Sequence, residues 1–291
     1  MANLKEIRNR ITSVNSTMQI TSAMKMVSAA KLKRAQDAIT QMRPYAQKLQ
    51  EILSNLTSSL DTSDNAYAQE RELKNVLIVG INSNRGLCGG FNNNVAKKVK
   101  FIAAEHKNSN VNILPIGKKM SDAIKNTDFV IKGTSLPSHT EALWNNLSFE
   151  AVSEVAQNLM DRFAEGDLDK IIIVYNAFKN AGVQLVTTEQ FLPIVPAKQD
   201  EKNSSTDYIF EPSKAEIVNN LIPNSLKTQL YKAMLDSFAS EHGARMTAMH
   251  KATDNATDLK KELQLFYNKA RQTAITNEIL EIVGGAEALN D

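Results

Sequence analysis

Residues 249–273 read MHKATDNATDLKKELQLFYNKARQT, and their spacing indicates the architecture that we expect for the whole chain. Small or apolar residues recur at alternating steps of three and four: Met249, Ala252, Ala256, Leu259, Leu263, Phe266, Ala270 and Thr273. A repeat that averages 3.5 residues is typical of a coiled-coil helix, and strong helix formers fill the gaps. We therefore predict one helix from about Ser225 to Val283, roughly 90 Å long at ~1.5 Å per residue.

The other end of the chain carries a similar spacing. One seam is formed by Leu4, Ile7, Ile11, Val14 and Met18, and an apolar stripe continues it with a register shift at Ile20, Met24 and Val27. Pro44 is expected to end or kink this helix near Arg43, after which the helix can resume. A helix over residues 3–57 would be roughly 80 Å long, whereas a globular domain of this size is only about 30–40 Å across. The two terminal helices are therefore predicted to pair as one antiparallel coiled coil.

The middle of the chain is rich in turns, because eight of the eleven glycines lie between Gly80 and Gly182. Strands are predicted at residues 76–79, 111–114, 170–175 and 183–191, and helices at 91–106, 118–125 and 149–163. This alternation predicts a central α/β domain with a mostly parallel, Rossmann-like sheet. The expected domains are the N-terminal coiled-coil helix (1–60), the central α/β domain (74–195), and the C-terminal coiled-coil helix with the segment that leads into it (207–291).

The composition excludes several classes of protein. Hydrophobic residues make up 42% of the 291 residues and charged residues 23%, which rules out wholesale disorder. No apolar run approaches the ~18 residues of a membrane-spanning helix, and residues 1–6 lack the apolar region of a signal peptide. The single cysteine, Cys88, excludes a disulfide framework and a multi-cysteine zinc site. His242 and His250 are interpreted as surface residues, so neither a metal nor a cofactor is expected.

The net charge of +2 is unevenly distributed. Residues 1–50 contain nine lysines and arginines and only two acids, which leaves the rest of the chain acidic. Such a basic arm is expected to meet a negative partner, and nucleic acid, anionic lipid and an acidic protein surface all qualify. A nucleic-acid binder usually adds aromatic stacking residues, whereas Tyr45 is the single aromatic residue of the arm. We therefore favour an acidic protein surface.

A glycine-rich stretch, GLCGG at residues 86–90, separates the first predicted strand from the helix that follows it. It lacks the Lys-Ser/Thr pair of a P-loop and the glycine spacing of a dinucleotide-binding motif. A structural turn is therefore favoured over phosphate binding. Cys88 has no predicted helper base, which argues against a nucleophilic role.

The C-terminal helix ends in an apolar stretch, ILEIVGGA at residues 279–286. This tip extends beyond the part of the helix that the N-terminal helix can cover. Because an apolar tip should not remain in water, it either folds back or is enclosed by another protein.

Several separated motifs stand out along the chain: KEIR at 5–8, AMKMV at 23–27, SNRGLCGGFN at 83–92, ATDNA at 252–256, KELQL at 261–265, YNKARQ at 267–272 and ITNEI at 275–279. Together these motifs resemble the family of gamma subunits of F-type ATP synthases. The family often has Asp at the position of Asn84. The resemblance spans the whole length of the chain.

The resemblance implies a rotor shaft. In such a protein the paired terminal helices stand inside a ring of three alpha and three beta subunits, and the α/β domain lies against the epsilon subunit and the membrane c-ring. Proton flow turns the c-ring and the shaft together, and ATP is made on the beta subunits. The chain is then expected to be non-catalytic, without a cofactor, a nucleic-acid partner or direct insertion into the membrane. Its expected location is peripheral, on the cytoplasmic face of a bacterial inner membrane.

The same resemblance implies three sets of contact residues. A beta subunit would be contacted by Met24, Lys25, Arg245, Arg271, Gln272, Thr276 and Glu278. A hydrophobic bearing at the top of the ring would surround the tip residues Ile279, Leu280, Ile282 and Val283. The c-ring and epsilon would be contacted by Tyr208 and Glu211, in a foot segment at the start of the third domain.

Two other classes of protein stay open on the residues alone. One is a nucleotide-binding enzyme built on the central α/β domain, which would need a working phosphate loop. The other is a coiled-coil adaptor for nucleic acid or membrane, which would use the basic arm.

Overall fold

The computed structural model describes residues 4–57, 66–127, 136–137, 140–194 and 214–287. The elements are α1 (Leu4–Thr57), β1 (Asn75–Ile81), α2 (Phe91–Glu105), β2 (Asn110–Ile116), α3 (Lys118–Ile124), a 3₁₀ helix (Thr140–Trp144), α4 (Phe149–Glu165), β3 (Lys170–Asn180), β4 (Val183–Leu192) and α5 (Lys214–Glu287). The predicted terminal helices and the alternation of strands and helices between them are confirmed. The foot residues Tyr208 and Glu211 lie outside the described residues.

Each of the two terminal helices contains a proline. Pro44 lies inside α1, which continues to Thr57. Pro223 lies inside α5, which begins at Lys214, well before the predicted start near Ser225. None of the described helices is both long and apolar enough to cross a bilayer.

The four described strands form one sheet in the order β2-β1-β3-β4. β1 is parallel to both neighbours, so that Val79 pairs with Leu114 on one side and Ile173 on the other. β4 is antiparallel to β3, as expected for two strands that a two-residue turn joins. The prediction of a mostly parallel sheet is confirmed.

Both faces of the sheet are buried, because successive side chains of a strand point to opposite faces. Leu77, Val79 and Ile81 pack with α4 and the first part of α5. Val76 and Ile78 pack on the other face with α2 and α3. The continuous apolar run of β1 is thus explained by a three-layer arrangement in which helices cover a parallel sheet on both sides.

The chain divides into two compact units. The helical unit comprises residues 1–28 and 246–291, and its described residues belong to the first part of α1 and the last part of α5. The body unit comprises residues 29–245 and contains the sheet.

The predicted register shift in the N-terminal seam is wrong. Ile20 and Val27 are exposed, at 60% and 58%, whereas Thr21 and Ser28 are buried. The heptad spacing therefore continues without a break beyond Met18, and polar residues occupy its inner positions. The sequence interpretation assigned the apolar residues Ile20 and Val27 to the inner face, whereas the small polar residues Thr21 and Ser28 occupy it.

The seam predicted for the C-terminal helix also needs a partial correction. Met249 and Ala256 are buried as expected. Leu259 and Phe266 are about half exposed, at 46% and 50%. The residues that follow them, Lys260 and Tyr267, instead bond to α1. At these two positions the residue of α5 that faces α1 is thus one later in the sequence than predicted.

Candidate functional site

A ladder of polar pairs joins the two helices of the helical unit. Its rungs are Arg8–Tyr267 at 2.8 Å, Asn15–Lys260 at 2.8 Å, Met18–Thr257 at 3.4 Å, Thr21–Thr253 at 2.8 Å and Lys25–His250 at 3.4 Å. The residue numbers of each pair add to 275, or to 274 for the threonine pair. A constant sum means that the helices run antiparallel in a single register over the whole ladder. The antiparallel pairing expected from the sequence is thus confirmed in this unit.

The polar ladder fixes the register of the two helices and contributes less to the stability of the pair. Hydrogen bonds are directional, and a polar residue at an inner coiled-coil position typically fixes register at a cost in stability. In the Lys25–His250 rung, the amine of Lys25 lies 3.4 Å from Nδ1 of His250. His250 also lies 3.4 Å from Asp254.

The residues predicted to contact a beta subunit fall into two environments in the helical unit. Met24 and Lys25 are half-buried, beside the Lys25–His250 rung. On α5, the exposed members of the set are Arg271, Gln272, Thr276 and Glu278. These four side chains are therefore available to a partner.

The apolar tip does not fold back on the described residues. Ile279, Leu280, Ile282 and Val283 are between 54% and 71% exposed. Burial of the tip by the described residues, one of the two possibilities raised by the sequence, is therefore not what the structure shows.

In the body unit, residues 82–90 connect β1 to α2 and are here called the glycine loop. The loop is tied to the first turn of α2, because the backbone N–H of Ser83 donates to Oδ1 of Asn92 at 3.1 Å. The amide of Asn92 lies 3.1 Å from the sulfur of Cys88. Leu87 and Gly89 adopt positive φ angles of 63° and 59°, which make the turn tight.

The glycine loop is arranged to meet a cation, not a phosphate. The carbonyl oxygens of Arg85 and Gly86 each accept a hydrogen bond from Nη2 of Arg245 on α5, at 3.2 Å. A phosphate site needs the opposite arrangement, with backbone N–H groups directed at the ligand. The interpretation of this stretch as a structural turn therefore agrees with its geometry.

In an open α/β sheet, ligands typically bind outside the carboxyl ends of the strands, where successive connections leave on opposite faces, which here is between β1 and β3. Two buried asparagines lie beside this position: Asn82 directly follows β1, and Asn176 lies in β3 just beyond the part that pairs with β1. Their amide groups donate to the backbone carbonyls of Asn92 and Phe91. The two side chains thus tie this edge of the sheet to the first turn of α2.

Arg245 is buried inside the body unit, although the sequence suggested it as a contact residue. It is 6% exposed and forms a buried ion pair with Glu241, one helical turn earlier. Burial raises the pKa of Glu241, and the guanidinium of Arg245 opposes that rise. The sequence analysis missed this pair, for which the only sequence signal is the i, i+4 spacing of opposite charges.

The interpretation of His242 as a surface residue is wrong. The side chain is 5% exposed, and its ring packs edge-on against Phe238 with centroids 4.5 Å apart. Burial, helped by the charges of Arg245 and Lys31, lowers the pKa of His242 to about 3. The ring is therefore neutral at physiological pH. His250, by contrast, is exposed as expected.

Asn84, where the resembled family often has Asp, uses both ends of its amide. Its Oδ1 accepts from the backbone N–H of Lys118 at 3.0 Å, and its Nδ2 donates to the carbonyl of Glu141 at 2.8 Å. An aspartate could make only the first of these contacts.

Comparisons with known proteins agree with this geometry. The sequence model of a family described as ATP synthase matches residues 3–289. The ATP synthase gamma chain of Flavobacterium johnsoniae is 62% identical over 291 residues, with all of both chains covered. That of Cytophaga hutchinsonii is 53% identical over 300 aligned positions, again with all of both chains covered.

Solved structures support the fold. The rotor of the Euglena gracilis mitochondrial ATP synthase, in rotational state 1, matches with a TM-score of 0.62 at 22% identity. The match covers 94% of this chain and 98% of that one. The central stalk and c-ring structure from Tetrahymena thermophila gives a TM-score of 0.57 at 24% identity, covering 80% and 99%. The full-length match to the family model and the relatives at 53% and 62% identity show that this chain belongs to the ATP synthase gamma chain family.

Proposed function

We propose that the chain is the central rotor shaft of an F-type ATP synthase and couples rotation of a membrane c-ring to ATP synthesis or hydrolysis on beta subunits. The observation that carries the proposal is the apolar tip, where the four tip residues are at least 54% exposed at the end of a register-locked helix pair. A surface of this kind requires an enclosing partner. A ring of alpha and beta subunits would supply one as a hydrophobic bearing.

Contacts with a beta subunit are proposed for the surface residues of the helical unit. Lys25 belongs to the basic arm, and Arg271, Gln272, Thr276 and Glu278 are exposed on α5, while Met24 lies next to Lys25. A catch region with acidic residues would complement this charge. The guanidinium of Arg245 is engaged by Glu241 and the glycine loop, so a contact through it would first require that pair to open.

The body unit is proposed to lie against the epsilon subunit and the c-ring, with Tyr208 and Glu211 in the foot segment. This places the chain at the cytoplasmic face of a bacterial inner membrane as a peripheral subunit. The proposed organisation is an N-terminal helix over residues 1–60, an α/β domain over 74–195 and a C-terminal helix with the foot over 207–291.

The chain itself is proposed to be non-catalytic. Support comes from the glycine loop, whose carbonyl groups accept from Arg245, and from Asn82 and Asn176, which donate to the first turn of α2 at the usual ligand position. Titration calorimetry of the purified chain with Mg-ATP should give no binding heat. Micromolar binding would overturn the non-catalytic assignment and favour a nucleotide-binding enzyme.

Purification from native membranes tests the shaft proposal itself. A shaft should copurify with alpha and beta subunits in a ratio of three to three to one. A coiled-coil adaptor would instead retain nucleic acid or lipid binding after high-affinity protein partners are removed. Recovery of the chain without alpha and beta subunits would contradict the proposal.

A further inference from the structure

A buried ion pair joins the last turns of α5 in the body unit to the glycine loop. Glu241 and Arg245 have side chains that are only 9% and 8% exposed. One guanidinium nitrogen of Arg245 donates to Glu241, and the other reaches the carbonyls of Arg85 and Gly86, both at 3.2 Å. One side chain thus engages a carboxylate on its own helix and two backbone groups about 160 residues away.

The geometry requires arginine, not merely a positive charge. A guanidinium presents donors in a planar fork and can reach several acceptors at once, whereas the amine of lysine is a compact point charge. A buried ion pair is seldom the most stabilising choice at its position, because an apolar pair of similar volume often serves as well or better. The pair is therefore better explained by the direction that it imposes on the loop than by stability alone.

The loop that Arg245 holds is continuous with the central strand of the sheet. Ser83 follows β1 closely and is tied to Asn92 at the start of α2. Beside the ion pair, Cys88 and Phe91 pack with Ala244 of α5 in a small apolar cluster. A force applied to the sheet therefore has a route to α5 through β1, the glycine loop and Arg245, in addition to the direct packing of the sheet against the first part of α5.

We propose that Glu241 and Arg245 act as a clamp that locks the glycine loop onto α5, so that torque passes between the sheet and the helix without slippage. In this assignment Glu241 positions Arg245, and Arg245 positions the loop. The part of the proposal that concerns torque rests on the proposed rotor function, whereas the clamping of the loop does not.

Cys88 provides a direct measure of loop opening, because it is the single cysteine of the chain and is 1% exposed. The experiment uses the assembled complex in membrane vesicles with the variant Glu241→Gln. One readout is the rate at which a fluorescent maleimide labels the chain's own gel band. The other is the number of protons pumped per ATP hydrolysed.

Removing the charge of Glu241 also lowers the pKa of the Cys88 thiol, which by itself speeds labelling, so rates are compared after correction for the thiolate fraction measured from their pH dependence. After this correction Glu241→Gln should raise the labelling rate at least about tenfold, since the loop opens more often once its clamp is broken. The pumping-to-hydrolysis ratio should fall, and ATP hydrolysis should fall less than pumping. Asp167→Asn is the matched control, because it breaks an ion pair with Arg162 at the surface of the same unit. Both readouts should stay at the parent values in this control.

Three outcomes would overturn the proposal. Labelling at the parent rate in assembled Glu241→Gln would show that the pair does not hold the loop. Faster labelling with an unchanged ratio would show that the loop carries no torque. Should Glu241→Gln fail to assemble, the double variant Glu241→Met with Arg245→Met keeps the packing and removes the clamp, and parent values in that variant would contradict the proposal.

The same labelling separates the clamp from the rotor assignment. If the chain does not copurify with alpha and beta subunits, the proposed function fails. Labelling of the chain in whatever complex it forms still tests whether Glu241 and Arg245 hold the loop.

Discussion

The hydroxyl oxygens of Thr21 and Thr253 lie 2.8 Å apart across the helix pair, at an inner position where a coiled coil ordinarily buries an apolar side chain. Four further polar rungs keep the same antiparallel register between Arg8–Tyr267 and Lys25–His250. The net contribution of each hydrogen bond to stability is only about 0.5–1.5 kcal/mol. Such a seam therefore fixes the alignment of the two helices but stabilises their pairing only modestly. A helix pair of this kind suits a protein whose long helices are supported by an enclosing partner.

The register can be tested with one disulfide. In a Cys88→Ala background, Thr21→Cys with Thr253→Cys should form a disulfide on mild oxidation, because the two hydroxyls already lie within hydrogen-bonding distance. Non-reducing electrophoresis and thiol counting would measure its formation.

The matched control moves one cysteine by a single residue. Thr21→Cys with Asp254→Cys should stay reduced, since Asp254 is exposed and lies about 100° further around α5. Equal oxidation of both pairs would mean that the helices slide or separate, which would contradict a fixed register.

The terminal helices could be predicted from the sequence because the spacing that indicates each helix lies within the helix itself. Steps of three and four from Met249 to Ala270, with few prolines or glycines among them, are sufficient to indicate a long helix. The inner face was harder to assign, because Lys260 and Tyr267 are drawn inward by Asn15 and Arg8, which lie more than 240 residues away. A hydrophobic pattern does not reveal such pairs.

The candidate site was predictable only in part, for the same reason. The spacing of residues 86–90 argued for a structural turn, which agrees with the loop geometry. It carried no sign that Arg245 and His242 would be buried, since distant segments pack against this part of α5. The glycine loop contacts Arg245, and Trp144 stacks on Phe238, the neighbour of His242 on the same helix. Tertiary contacts thus overrode the usual surface preference of arginine and histidine.

Gly117 should be intolerant of any side chain. Its φ is +99°, and a Cβ atom there would lie 2.1 Å from the carbonyl oxygen of Asn82. Gly117→Ala should therefore lower the free energy of unfolding by about 2–5 kcal/mol, through backbone strain and a clash that backbone atoms cannot easily relieve. Urea unfolding followed by circular dichroism would measure the loss.

Gly86→Ala is the control for Gly117. A Cβ atom at Gly86 would meet nothing within 4 Å, so the change in stability should stay within about 0.5 kcal/mol. A similar loss of stability in both variants would contradict the explanation that contact between a Cβ atom at position 117 and Asn82 excludes a side chain there.

Asp236 should make the stability of the body unit depend on pH. Burial raises the pKa of Asp236 to about 6, and Glu189 adds to the rise, whereas Lys232 and Arg43 oppose it. Tyr175 and Gln229 bond to Glu189 itself. Because the folded-state pKa lies above the unfolded value of 3.8, the folded state holds the proton more tightly and loses stability as the pH rises from about 4 to about 6.

Asp236→Asn should remove that penalty. At pH 8 the variant should be more stable than the parent by about 1–2 kcal/mol, a value reduced from the full linkage estimate because the side chain is only partly buried. At pH 4 the two proteins should unfold alike, as measured by thermal melting across the pH range. Asp258→Asn, at an exposed position of α5, is the charge-matched control. An equal gain in stability in this control would contradict the attribution of the effect to the burial of Asp236.

A covalent tether between the helical unit and one beta subunit should stop turnover if the chain is a shaft. A shaft must pass each of three equivalent beta subunits in every cycle, so a single link arrests it. In the Cys88→Ala background, Lys25→Cys would be paired with a cysteine on the acidic beta loop that the resemblance places opposite it. Oxidation should abolish steady-state ATP hydrolysis by the assembled head, and a reductant should restore it.

The internal disulfide between Thr21→Cys and Thr253→Cys is the matched comparison for that tether, since it uses the same chemistry one helical turn from Lys25. It links the two helices to each other and to nothing else, so hydrolysis should continue after oxidation. Because a disulfide requires Cα atoms within about 7 Å, formation of the Lys25 tether also tests the proposed contact. A static adaptor would be indifferent to both links, and full hydrolysis with the beta tether quantitatively formed would exclude rotation of this face of the helix past the beta subunits.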